Sequence, residues 1–137
     1  MAGVKINFDA AAEQRNGKGA SAVIMCDHLG RVIDWRCKLW DAIQDPLLLE
    51  SLACREAVLL GVSSGFTRIV LEGDSSMVID GLRSRESPIA IQGVFLDVLE
   101  LTTNCEHIIF SAVRRTANQA AHVIAQKCLY DLAMDSP

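Results

Sequence analysis

The chain has 137 residues, of which 50% are hydrophobic, and it carries a formal net charge of -4. This length allows one domain with a buried core and leaves no room for a second, so residues 1–137 are predicted to form a single domain. The negative charge argues against a general polyanion-binding protein, which normally carries a basic stripe. No apolar run reaches the roughly 18 residues that span a bilayer, and the N-terminal residues lack a signal-peptide pattern. We therefore expect a soluble, non-secreted protein with no membrane partner.

Cysteine usage indicates a reducing compartment. The five cysteines are odd in number, widely spaced and without a Cys-x-x-Cys pair: Cys26, Cys37, Cys54, Cys105 and Cys128. This pattern favours reduced thiols over a disulfide or zinc framework. An intracellular protein is expected, and the pattern does not distinguish the nucleus from the cytoplasm.

The start of the chain predicts three antiparallel strands. Residues 4–9 form a short apolar strand that ends in Asp9, and residues 14–18 have the composition of a turn. Residues 20–26 read as a buried strand, and a hairpin turn at 27–30 follows it. Apolar and polar side chains then alternate over 33–39, which indicates a half-exposed strand.

Helices and strands alternate in the remainder of the sequence. Asp45 and Pro46 are typical of a helix N-cap and first turn, and Gly65 ends that helix near residue 64. The later elements are predicted as a strand over 67–72, a helix over 73–82, a helix from 88, a strand over 107–113 and a helix over 116–132. The crossovers make the first, fourth and fifth strands parallel, so we expect an α/β fold with a mixed sheet.

Three carboxylates occupy positions where this architecture would bring them together. Asp9 ends the first strand, Asp74 follows the fourth, and Glu50 lies one turn into the first helix on a stripe of otherwise small residues. Sites in open α/β sheets lie beyond the carboxyl ends of the strands. Neighbouring first and fourth strands would therefore place these oxygens together, as Mg²⁺ requires. Separately, each residue also has an ordinary explanation: a strand end for Asp9, a helix edge for Glu50 and an N-cap for Asp74.

Five segments of the chain resemble a known family. They are residues 4–9, 27–33, 46–57, 71–75 and 113–122, which are spread in order along nearly the whole chain. Together they resemble the type 1 ribonuclease H fold, most closely the ribonuclease H-like domains of plants related to non-LTR retroelement reverse transcriptases. The resemblance implies a five-stranded mixed sheet of order 3-2-1-4-5 with helices on both faces. It also implies two-magnesium cleavage of the RNA strand of RNA/DNA hybrids, with Asp9, Glu50 and Asp74 as metal ligands.

Two positions depart from the family's pattern. The family's fourth carboxylate lies four residues after an asparagine in the last helix, whereas here His122 follows Asn118 at that spacing. We include His122 among the predicted catalytic residues, and since imidazole suits manganese better than magnesium, Mn²⁺ becomes an alternative cofactor. A satisfied histidine at the helix boundary is the competing interpretation. Ala10 replaces the family's usual glycine after the first aspartate, and its methyl group could hinder the RNA strand.

Predicted contacts to nucleic acid involve five residues. They are Arg15, Lys18, Arg114, Arg115 and Asn118. The two arginines at 114 and 115 fall in the loop where many relatives of the resembled family carry a mobile histidine, and arginine can grip phosphate. An ordinary solvated role is an equal alternative for any one of the basic residues.

Two functional hypotheses remain open from the sequence. The first is a metal-dependent endoribonuclease acting on RNA/DNA hybrids. The second is a degenerate module that binds nucleic acid or a protein partner without cutting, for which His122 and Ala10 speak. A 3'-to-5' exonuclease of the same broad fold is disfavoured, because it would need an Asp-x-Glu pair that residues 9–11 lack. The natural substrate, the oligomeric state and membership of a longer polypeptide are left open.

Overall fold

A five-stranded sheet and four α-helices make up the described part of the chain. The computed structural model describes residues 3–13, 15 and 17–132. The strands are β1 (Val4–Glu13), β2 (Lys18–Cys26), β3 (Val32–Asp41), β4 (Arg68–Gly73) and β5 (His107–Ala112). The α-helices are α1 (Pro46–Ser63), α2 (Ser76–Ser84), α3 (Gln92–Thr102) and α4 (Gln119–Lys127). Short 3₁₀ turns cover Ile89–Ile91 and Arg115–Asn118, and a π turn covers Cys128–Leu132.

The strand order is β3-β2-β1-β4-β5, as predicted. β1, β2 and β3 form an antiparallel meander, and β1, β4 and β5 run parallel. The parallel strands need crossovers, which α1 supplies before β4, and α2 with α3 before β5. Because β1 lies in the middle of the sheet, elements from both halves of the chain meet at its carboxyl end.

β1 is longer than the sequence predicted. The prediction that Asp9 ends the strand is wrong, because β1 continues to Glu13 by pairing with β2. Its parallel ladder with β4, however, ends at the pair Phe8 and Gly73. Asp9 is thus the first residue of β1 that does not pair with β4. Its backbone still pairs with β2. Asp9 therefore still lies at the carboxyl edge of the parallel strands, which is the part of the prediction that matters for the site.

Helix α1 lies close to the sheet because its inner face is small. Asp45 caps the helix by accepting a hydrogen bond from the backbone N–H of Leu47 at 3.1 Å, as its composition predicts. A Cβ at Gly61 would lie 2.7 Å from Ile69 and 2.8 Å from Ile6, so the helix and sheet approach closely there. Glu50 lies on the same face of α1, near the carboxyl ends of the parallel strands.

Two apolar clusters cover the two faces of the sheet. The larger lies under α1, α2 and α3 and includes Ile6, Phe8 and Leu71. The smaller lies under the C-terminal helix and includes Ala20, Ala22 and Ala125. Helices therefore pack on both faces. Among the described residues, none of the helices is both long enough and apolar enough to cross a membrane.

Several predicted boundaries need correction. The predicted helix from residue 88 begins as a 3₁₀ turn and becomes helical at Gln92, since Pro88 itself lies outside it. The predicted helix over 116–132 is three short pieces, and Ala117 in the first of them is exposed. In the predicted turn at 14–18, Gln14 and Asn16 lie outside the described residues, and Lys18 already belongs to β2.

Candidate metal centre

Three carboxylates from separate elements meet at the carboxyl edge of β1 and β4. Asp9 comes from β1, Glu50 from the second turn of α1, and Asp74 from the residue directly after β4. One oxygen of each lies within 4.8 Å of the others. The structure thus brings together the three acidic side chains that the sequence places at one site, while their metal-binding and catalytic roles remain predictions.

The cluster leaves one buried oxygen on each carboxylate without a hydrogen-bond partner. These atoms are Oδ1 of Asp9, Oε2 of Glu50 and Oδ2 of Asp74. A buried polar atom without a partner costs free energy, and three such anionic oxygens in one place also repel one another. A divalent cation would offset both costs, and hard oxygen donors are the ligands that Mg²⁺ prefers. The residues present therefore fit a divalent metal.

Glu50 shows the electrostatic strain of the cluster most clearly. Burial, followed by the neighbouring Asp9 carboxylate, raises the pKa of Glu50 to about 9. The pKa of Asp74 is also raised, first by burial and then by Asp9, whereas the Arg115 guanidinium acts in the opposite direction. Without a bound cation, a proton on Glu50 thus relieves part of the repulsion at neutral pH.

His122 lies directly against Asp9. Its Nδ1 is 2.9 Å from Oδ2 of Asp9, whose side chain is fully buried, while the imidazole is 21% exposed. An ionised carboxylate can only accept, so the imidazole donates from Nδ1 in this contact. The residue that replaces the resembled family's fourth carboxylate is therefore at the cluster, on the first turn of α4.

Arg115, which follows β5, also contacts the cluster. Its Nε lies 3.3 Å from Oδ2 of Asp74, an ion pair whose orientation leaves that oxygen without a hydrogen bond. The Asp74 side chain is 10% exposed and the Arg115 side chain 63%. The competing interpretation of Asp74 as a helix N-cap is wrong: Ser75 occupies the N-cap position of α2.

Asn118 has a supporting position instead of a solvent-facing one. It is 1% exposed, and its amide donates to the backbone oxygen of Phe8 at 2.8 Å and accepts from Nδ2 of Asn7 at 3.0 Å. The nucleic-acid contact at Asn118 remains a prediction, and both polar atoms of its side chain already have a hydrogen-bond partner inside the protein. Its hydrogen bonds fix α4, and with it His122, against the backbone next to Asp9.

Asn7 is a supporting residue that sequence reasoning missed. It donates to Glu72 at 3.1 Å as well as to Asn118, and it is 7% exposed. The available signal was its spacing: residues two apart on a strand share a face, so Asn7 lies on the Asp9 side of β1. A buried polar residue there requires partners, and α4 and β4 provide them.

The other predicted basic contacts differ in their surroundings. Lys18 lies 3.8 Å from Asp41, and its side chain is only 19% exposed. Arg15 and Arg114 are exposed. Ala10 is half-buried, and strand alternation places its methyl group on the α1 face, opposite to the Asp9 side chain. The nucleic-acid roles of these residues remain predictions.

The fold and the carboxylate cluster define a ribonuclease H-like protein. The chain belongs to the reverse transcriptase-like family, whose sequence model matches residues 7–128. No curated protein matches the sequence.

Three solved structures that share this fold are ribonucleases H or ribonuclease H domains. Ribonuclease H1 of the halophilic archaeon Halobacterium salinarum superposes with a TM-score of 0.86 at 22% identity, covering 93% of this chain and 98% of that one. The N-terminal ribonuclease H domain of a Mycobacterium tuberculosis protein gives 0.88 at 15% identity over the full length of both chains. LC11-RNase H1, solved in complex with an RNA/DNA hybrid, gives 0.81 at 13% identity, covering 90% of this chain and 94% of that one. At these identities the likeness establishes the fold alone.

Proposed function

We propose that the protein is a divalent-metal-dependent endoribonuclease that cleaves the RNA strand of RNA/DNA hybrids. The observation that carries this proposal is the set of three buried, unpartnered carboxylate oxygens on Asp9, Glu50 and Asp74, close enough to share cations. The hybrid bound to LC11-RNase H1, a protein of the same fold, supports the same class of substrate. Membership of the reverse transcriptase-like family supports a retroelement-derived domain, and the relation to the plant domains is part of the proposal.

The three carboxylates would hold divalent ions, which would supply charge stabilisation to the attacking water and the leaving oxygen of a phosphodiester. The protein's contribution is to hold their ligands in place: β1 supplies Asp9, α1 supplies Glu50, and the β4 carboxyl end supplies Asp74. Glu50 has to lose its proton to serve as a ligand. Selection of the hybrid would come from its shape and its 2'-hydroxyl groups, with Arg15, Lys18 and Arg114 contacting phosphates.

His122 is expected to set the metal preference. Magnesium binds oxygen ligands in a near-ideal octahedron and accepts imidazole poorly, whereas manganese tolerates nitrogen better. With imidazole beside Asp9 in place of a fourth carboxylate, cleavage should be weak in Mg²⁺ and stronger in Mn²⁺.

A module that binds nucleic acid or a protein partner without cleaving it is the second candidate. The contacts of His122 with Asp9 and of Arg115 with Asp74 favour it, because they give two of the three carboxylates a side-chain partner without metal. The alanine at position 10, where the resembled family usually has glycine, favours it too.

A cleavage assay separates these two functions. Purified protein is incubated with end-labelled RNA/DNA hybrid, duplex RNA or duplex DNA, in Mg²⁺ or Mn²⁺. We expect hybrid-specific cleavage that is faster in Mn²⁺ and is lost by more than about a hundredfold in Asp9→Asn, since metal contributes several kcal/mol to such reactions. His122→Asp should raise the Mg²⁺ rate, on the order of tenfold, by restoring an oxygen ligand.

Matched variants control for charge. His107→Asp makes the same replacement at an exposed position at the far end of β5, and it should leave both rates unchanged. If neither metal supports cleavage in the wild type or in His122→Asp, the binding-only function replaces the nuclease. Cleavage that persists in Asp9→Asn would assign the activity to another site or to a contaminant.

A further inference from the structure

Arg115 occupies a place at the cluster that a metal ion would need. Its Nε lies 3.3 Å from Oδ2 of Asp74, and the same oxygen is among the three buried atoms that lack a hydrogen bond. A divalent cation bound to Asp74 and the guanidinium at this distance would place two positive groups next to the same oxygen atom. Their repulsion would be strong, because a carboxylate that is 10% exposed is poorly screened by solvent.

The guanidinium can leave Asp74 at little cost. The Arg115 side chain is 63% exposed, and it starts a short 3₁₀ turn in the loop after β5. The exposed guanidinium itself loses little by moving into water, whereas Asp74 without any cation would be a nearly buried anion beside two other carboxyl groups. The ion pair therefore mainly stabilises the Asp74 carboxylate, and a divalent ion can stabilise it in the same way.

We propose that Arg115 is a resident counter-ion that a divalent cation must displace from Asp74, so that this residue lowers the metal affinity of the free protein. The inference rests on the proposed metal site. It assigns Arg115 the role of limiting metal binding until its guanidinium moves away from Asp74. The displaced guanidinium then lies beside the site, within reach of a phosphate. Metal binding and substrate binding are thereby coupled through one side chain.

Direct binding of Mn²⁺ to metal-free protein tests this, with free Mn²⁺ followed by electron paramagnetic resonance. Arg115→Gln removes the charge and keeps most of the side-chain length, and it should bind Mn²⁺ several-fold more tightly than the wild type. Arg114→Gln is the matched control: it removes the same charge from the exposed neighbouring residue, for which the described part of the chain shows no ion pair, and its affinity should change less than twofold. Arg115→Lys, which keeps a cation, should remain near the wild type.

Unchanged or weaker Mn²⁺ binding in Arg115→Gln would overturn the inference. Equal tightening in Arg114→Gln would also overturn it, because the effect would then come from overall charge. Failure of the proposed function is distinguishable: if no variant binds Mn²⁺, the metal site itself is wrong and both proposals fall. If Arg115→Gln binds more tightly but no protein cleaves hybrid, the counter-ion role stands and the nuclease proposal fails.

Discussion

Glu50 is the residue whose chemistry depends most on the surrounding fold. On an exposed helix it would be an ordinary carboxylate, but burial and the Asp9 carboxylate raise its pKa to about 9. The metal-free protein thus holds a proton there at neutral pH. A divalent cation favours the ionised form, so metal binding at neutral pH should release a proton.

Glu50→Gln should reveal this proton in the pH dependence of stability. The folded carboxyl group binds its proton more tightly than the unfolded one, whose pKa is near the ordinary 4.5. Its contribution to the free energy of unfolding is therefore complete below that value and is lost as pH rises toward about 9, by up to about 1.4 kcal/mol per pH unit. Glutamine cannot ionise, so Glu50→Gln should become more stable than the wild type as pH rises.

Urea unfolding in a metal chelator at pH 5, 7 and 9 measures the difference. Glu56→Gln, on the same helix but outside the cluster, is the control and should follow the wild type. A gap between Glu50→Gln and the wild type that stays constant with pH would show that Glu50 is not protonated in the folded protein.

The sequence predicted the members of the carboxylate cluster better than it predicted the side chains that contact them. His122 could be placed there because its spacing from Asn118 matched the family that the chain resembles. The pairing of Arg115 with Asp74 could not be predicted, because a loop residue has no periodicity that fixes its side-chain direction. The burial of Asn118 was missed for a related reason: apolar periodicity locates the core but does not mark a polar residue that is buried by hydrogen bonding.

At the scale of elements, the site depends on how α4 is joined to β1. Two asparagines make this junction: Asn118 donates to the Phe8 backbone oxygen, and Asn7 bridges Asn118 and Glu72. β1 has a free carbonyl at Phe8 because its parallel ladder with β4 ends there. The end of the ladder that frees Asp9 for a ligand thus also provides the anchor for the helix that carries His122.

Asn118→Ala should weaken both stability and site geometry. It leaves a buried backbone carbonyl and one Asn7 contact unpaired, which should reduce the free energy of unfolding by about 2 to 3 kcal/mol. Asn104→Ala is the matched control, because Asn104 is exposed and its side chain bonds only to the nearby Leu101 oxygen, so its loss should be about 0.5 kcal/mol or less. Equilibrium unfolding in urea measures both, and equal losses would remove the anchoring role.

Element boundaries near the site were the least predictable part of the fold. The sequence ended β1 at Asp9 because a charged residue follows an apolar run, but pairing with β2 carries the strand through Ala11 to Glu13. Similarly, one continuous helix was predicted after β5, where the chain makes a 3₁₀ turn before α4. In both places tertiary contacts decided the local structure, namely the neighbouring strand for β1 and the Asn118 anchor for α4.

At the scale of the whole molecule, the carboxylate cluster ties together distant parts of the chain. It joins the meander through Asp9, the first crossover helix through Glu50 and the second half of the sheet through Asp74. The crossovers made it predictable that strands 1, 4 and 5 are parallel, whereas the strand order 3-2-1-4-5, which brings Asp9 and Asp74 together, was implied by the resemblance to the type 1 ribonuclease H fold. Since unfolding separates all three residues, a cation bound here should stabilise the entire domain.

Divalent metal should therefore raise the melting temperature of the wild type. A ligand that binds only the folded state adds about 1.4 kcal/mol at ten times its dissociation constant, which corresponds to a shift of about 5 °C for a domain of this size. Calorimetry in chelator and in increasing Mn²⁺ or Mg²⁺ measures the shift. Asp9→Asn should abolish it, whereas Asp41→Asn, on the edge strand β3, should retain it because Asp41 lies outside the cluster. If Asp9→Asn shifts as much as the wild type, the cation binds elsewhere, and the cluster has no metal-dependent role in stability.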